Sequence, residues 1–113
     1  MEAKVVESSG SLVRLEIAGR MDTVGVERAE PRFFALFAPR AIDTILDLSK
    51  VTLLTSMGLR LLIASAKTGL SKGFRVVLVA PSGAVRDVLD HAAIGELTAI
   101  VDDVDAARAL LAA

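Results

Sequence analysis

Apolar and polar residues alternate strictly along residues 12–18. Val13, Leu15 and Ile17 take one side, and Arg14, Glu16 and Ala18 the other. A period of two marks a strand with one buried face. Ala3–Ser8 reads as a strand before it, and Ser9-Gly10 between them suits a hairpin turn. After Gly19-Arg20-Met21-Asp22 the period lengthens. Val26, Ala29, Phe33 and Phe37 recur at helical spacing, with Asp22 or Thr23 as the cap. Pro31 removes a donor and crowds the preceding turn, so a kink near Glu30 or a helix starting at Pro31 is expected. Pro39 closes the segment. Thr44–Leu48 is a third strand, followed by a short loop. A helix is predicted from Met57 to Ser71, with Lys72 near its end and Gly73 as its C-cap. Phe74–Ala80 is almost wholly apolar, as in a central strand covered on both faces. Pro81-Ser82 opens a helix over 82–91. Leu97–Val101 is a short last strand, and Asp103–Leu111 a final helix with acidic residues at its start.

The order ββαβαβαβα predicts an α/β fold. Its mixed sheet should have four or five strands, with Phe74–Ala80 inside, and about four helices packed mainly on one face. No repeat, linker or composition shift divides the 113 residues, so a single domain over 1–113 is expected.

Composition narrows the chemistry. A net charge of −1 gives no electrostatic case for nucleic acid or an anionic membrane. The absence of cysteine removes disulfides and thiolate metal sites. Met1-Glu2-Ala3-Lys4 starts a strand rather than a signal peptide, and no apolar run is long enough to insert in a bilayer, so a cytoplasmic setting is expected. His91 is the one histidine and reads as a solvated residue near a helix end. There is no Gly-x-x-x-x-Gly-Lys phosphate loop. Asp102-Asp103 reads as capping at a helix start. No cofactor, metal or catalytic set is expected.

The segment Leu46-Asp47-Leu48-Ser49-Lys50-Val51-Thr52-Leu53-Leu54-Thr55-Ser56-Met57-Gly58-Leu59 carries the functional signal. A strand runs into a loop, and a hydroxyl sits where a helix opens. On these residues alone Ser56 has two readings. It is a plain N-cap worth about 1 kcal/mol, or a phosphate acceptor at a helix end that tolerates negative charge. Leu53, Leu54 and Met57 read as an exposed apolar rim around it, a docking surface that one charge could switch off; the other reading makes Leu53 and Leu54 core residues at the strand-to-helix corner.

The order of elements, with Gly19-Arg20-Met21-Asp22, Leu46–Val51, Thr55-Ser56-Met57-Gly58 and Val79-Ala80-Pro81, resembles the STAS domain. This is the bacterial family of anti-sigma-factor antagonists, also found at the ends of sulfate transporters. The resemblance spans essentially the whole chain. It implies a phosphorylation site at Ser56, the family's glycine at Gly58, and its acidic residue near the phosphosite at Asp22. Thr55 stands in place of the family's Asp, and Met57 in place of its second hydroxyl residue. The resemblance further implies a non-enzymatic partner switch, monomeric or weakly dimeric. The unphosphorylated domain binds an anti-sigma factor that is also a serine kinase, and a PP2C-type phosphatase resets it. Leu53, Leu54, Thr55, Met57, Gly58 and Asp22 would form the contact. Two other roles occur in the family: a subunit of an ABC-type lipid transporter, and a nucleotide-binding regulator.

Overall fold

The computed structural model describes residues 1–112. The elements are β1 (Glu2–Ser8), β2 (Leu12–Met21), α1 (Thr23–Ala35), β3 (Asp43–Leu54), α2 (Ser56–Lys72), β4 (Val76–Val79), α3 (Gly83–His91), β5 (Ala99–Val101) and α4 (Val104–Ala112), with 3₁₀ turns at Ala38–Arg40 and Ile94–Glu96. One five-stranded sheet has the order β1-β2-β3-β4-β5. The hairpin β1-β2 is antiparallel, and the remaining pairs are parallel.

That order explains where the helices lie. Each parallel connection steps to the next strand in one direction, and with the right-handed crossover rule this puts α1, α2 and α3 on one face, where their side chains share one core. The main core forms there. Val13, Leu15, Ile17 and Met21 of β2 meet Leu46, Leu48, Val51 and Leu54 of β3, with Val26, Phe33, Leu61, Leu62, Val85 and Leu89 above. Each such side chain contributes roughly 1.5–3 kcal/mol when fully buried. Phe33, Phe37 and Phe74 lock the far end edge to face, at 5.2 Å and 6.2 Å between ring centroids. α4 follows the last strand and covers the other face, where fully buried Ala107 joins Ile45, Val77 and Val79. β4 lies between two partners with all four residues buried, as the apolar run predicts.

Three expectations need correction. The loop expected at Ser49–Leu54 is strand: β3 continues to Leu54, paired with β2 alone beyond the end of β4. Between Glu16↔Asp47 and Ala18↔Lys50, β2 advances two residues and β3 three; between Gly19↔Val51 and Arg20↔Leu53, β2 advances one and β3 two. Each irregularity puts an extra residue in β3. Buried Leu48, Val51 and Leu54 are therefore three apart instead of two, which hides the strand period. Next, of the two expectations for Pro31, a helix starting at the proline is the one overturned: α1 begins at Thr23 and runs through Pro31. Pro31 is exposed, so water can take the carbonyl left without a donor. Finally, β4 and β5 are shorter than the apolar runs that announce them.

Candidate functional site

β2 and β3 end side by side, Met21 against Leu54, and this brings Asp22 and Thr55 to one end of the sheet. The chain turns there into α1 on one side and α2 on the other. Asp22 caps α1. Its Oδ1 accepts the Gly25 N–H at 2.8 Å, and Oδ2 accepts Arg20 Nε at 3.3 Å. These bonds, Gly25 first and Arg20 second, hold its carboxyl below the ordinary aspartate range.

Ser56 is not the cap of α2. Thr55 occupies that position, in extended backbone, and Ser56 is the first helical residue. Thr55 does not cap either. Its hydroxyl donates to the Met21 carbonyl at 2.8 Å, and its N–H reaches the same carbonyl at 3.3 Å. The first turn of α2 thus has no side-chain acceptor, and its N–H groups remain open. The Ser56 side chain is exposed beside them.

The apolar rim is smaller than expected. Leu54 is 6% exposed and belongs to the core, because its position on β3 faces the helices. Leu53 and Met57 are half-buried. Gly58, expected as part of the contact, is buried. A Cβ there would stand 2.7 Å from Leu54 Cδ1, 2.7 Å from Met21 Cβ and 2.8 Å from the Met21 carbonyl oxygen. Glycine is what lets α2 settle onto the end of β2.

A neighbour of Ser56 was missed in the sequence. Ser56 and Leu59 of α2 line a shallow depression of about 580 Å³ with Asp87, Val88 and His91 of α3 and Ala92 after it. His91 Nδ1 lies 2.8 Å from the Asp87 carbonyl. A carbonyl only accepts, so Nδ1 carries the proton and Nε2 is free in the neutral ring. The available signal was the singly wound strand order, which sets α2 and α3 adjacent on one face. Among the described residues no group of three or more His, Cys, Asp or Glu side chains is placed to hold a metal. No described helix is long and apolar enough to cross a membrane.

The model of the STAS domain family matches residues 3–107. A match over that much of the chain defines the class: the chain belongs to the STAS domain family. No curated protein matches it in sequence. Among solved structures it is similar to a Thermotoga maritima protein assigned as an anti-sigma factor antagonist, at 21% identity and TM-score 0.86, covering 99% of this chain and 94% of that one. It is similar to the anti-sigma factor antagonist SpoIIAA in its unphosphorylated form, at 16% identity and TM-score 0.76, covering 99% and 98%. The Bacillus SpoIIAA in phosphorylated form gives 16%, 0.71, 96% and 99%. The murine Slc26a9 anion transporter gives 16% and 0.80, with 94% of this chain matched to 18% of that one. The fold is thus shared with stand-alone domains and with a segment of a transporter.

Proposed function

We propose that this chain is an anti-sigma-factor antagonist, a protein-binding switch controlled by phosphorylation of Ser56. The observation that carries it is an exposed Ser56 hydroxyl at a helix start whose own donors have no side-chain acceptor. In the unmodified state the chain binds an anti-sigma factor that is also a serine kinase, and the sigma factor is released. The kinase phosphorylates Ser56, the complex separates, and a PP2C-type phosphatase restores the hydroxyl. The likeness in fold to SpoIIAA, whose structure is known in unphosphorylated and phosphorylated forms, supports this reading.

The physics favours a switch at the interface over a switch in the fold. A phosphate carries about −1.5 to −2 charge. At the open N-terminus of α2 it meets unpaired N–H groups and the positive end of the dipole, so it stabilises the helix. In a docked complex the same dianion has to lose its water against the partner. Docking uses half-buried Leu53 and Met57 and the depression floored by Leu59, Val88 and Ala92. His91 lines the same depression as Ser56, while the Asp87 carboxylate there opposes a phosphate. Thr55 and Gly58 act from beneath, by fixing the start of α2 on Met21, and Asp22 fixes the adjoining start of α1.

A second reading follows from the Slc26a9 match: the domain as a brace within a transport system. The nucleotide-regulator reading gains no support, since a strand order running straight from β1 to β5 forms no switch-point crevice. The test is mass spectrometry of the protein incubated with its cognate kinase and ATP, with Ser56→Ala and Thr55→Val alongside. Phosphate should appear on Ser56 in wild type and Thr55→Val, and be absent in Ser56→Ala. Phosphate on Thr52 or Thr55 alone would move the site. No phosphate, together with normal partner capture by Ser56→Asp, would overturn the switch.

A further inference from the structure

Arginines in this fold are mostly occupied. Of nine in the chain, Arg14, Arg20, Arg40, Arg75, Arg86 and Arg108 each donate to a carboxylate, hydroxyl or carbonyl. Arg28, Arg32 and Arg60 have no hydrogen bond or ion pair among the described residues. Two of those three stand one turn apart on α1, where like charges repel. Both border the same depression, about 430 Å³, between α1 and β1. That volume lies within the roughly 300–1,000 Å³ range of small-molecule sites. Its apolar wall comes from Ala3, Ala29, Phe33 and Leu36.

We propose that this depression binds a small amphipathic anion: a carboxylate or phosphomonoester head held by Arg28 and Arg32, with an apolar chain along half-buried Ala29 and Leu36. Charge complementarity picks the head group. Two free guanidiniums can each give a charge-assisted fork to an oxyanion, and the anion relieves their mutual repulsion. The apolar wall picks the body, since a bare inorganic anion would leave it wet. Lys4 also lines the depression, but its ammonium is drawn to Glu16 at 3.8 Å. Glu2 is the one carboxylate among the lining residues and works against the anion. The site is separate from the depression that Ser56 lines.

The test uses the whole chain and three probes: decanoate, decanol and phosphatidylglycerol vesicles, followed by calorimetry and amide NMR shifts. Decanoate should bind saturably, with shifts confined to β1 and α1, and decanol should bind more weakly. The double variant Arg28→Gln/Arg32→Gln should lose affinity by about tenfold or more, the loss of two charge-assisted contacts. Arg60→Gln, which removes an equally free cation elsewhere, should leave affinity unchanged, and Glu2→Gln should raise it. Circular dichroism would check that each variant stays folded; all four positions are exposed. Equal decanoate affinity in the double variant would overturn the proposal. So would binding to the vesicles with none to decanoate, which would assign the arginines to a lipid surface.

Discussion

Replacing Gly58 with alanine tests the corner on which Ser56 stands. The added Cβ would lie 2.7 Å from Leu54 Cδ1, 2.7 Å from Met21 Cβ and 2.8 Å from the Met21 carbonyl oxygen. Only the leucine methyl can swing aside. Met21 Cβ and its carbonyl are held by the β2–β3 pairing and by Thr55, so the helix start has to lift. Overpacking of this kind costs about 1–3 kcal/mol. Against it stands the helix preference for alanine over glycine, about 1 kcal/mol. With two of three neighbours anchored, the upper part of the range applies, and the net loss should be about 1–2 kcal/mol. For a chain of this size that lowers Tm by roughly 3–10 °C. Thermal and urea unfolding would measure it, with Gly83→Ala as the control, because nothing lies within 4 Å of a Cβ at Gly83. The control should be neutral or stabilised. Gly58→Ala should also weaken partner binding, since Ser56 rides on the displaced turn. A Gly58→Ala protein as stable as wild type would refute the close approach and leave helix preference in charge.

Two further outcomes follow from burial and charge. Leu54→Asp should unfold the chain, because a carboxylate would replace a core side chain 6% exposed, at about 3–5 kcal/mol or more; Ala92→Asp, on an exposed residue of the Ser56 depression, should keep Tm and lose the partner. A folded Leu54→Asp protein, or one with Ala92→Asp that still binds, would relocate the docking surface. Glu7 has its carboxyl lowered from the ordinary 4.5, first by the hydrogen bond from Arg108 and then by that from Arg14. A depressed folded value gives stability that is present above 4.5 and lost as pH falls through the folded value. Glu7→Gln should therefore be less stable than wild type at neutral pH, and the gap should narrow as pH falls through the lowered folded value of Glu7; a gap that stays constant throughout the acid range would contradict the linkage.

Much of the fold was legible because its signals are local. Val13, Leu15 and Ile17 announce a half-buried strand, and Val76–Val79 a central one, from side-chain pattern alone. Gly73 announced the end of α2, and its φ of 83° is the left-handed cap a glycine permits. The second half of β3 was hidden because its two irregularities shift the buried positions from every second residue to every third. The candidate site was legible in part. The hydroxyl at the start of α2 could be read, but its neighbours depend on tertiary placement. Leu54 could not be told from a rim residue until β3 was known to run to it. Helices on one face were expected, but the place of His91 near Ser56 required the strand order that makes α2 and α3 neighbours there. That the Thr55 side chain leaves the start of α2 uncapped turned on the Met21 carbonyl, 34 residues away in sequence.

The straight strand order also has a consequence for how this protein meets its own copies. A sheet laid down in sequence has two open borders, and both are blunted. On one side β5 has only three residues, too short to template a long partner strand. On the other, β1 carries Glu2, Lys4 and Glu7, and its ladder slips between Val5 and Glu7. That slip breaks the run of exposed Val5 and Val6 just where an incoming strand would seek register. Arg108 reaches Glu7 from α4, so the last helix of the fold braces its first strand. Border-to-border pairing of copies is thereby discouraged at both sides of the sheet.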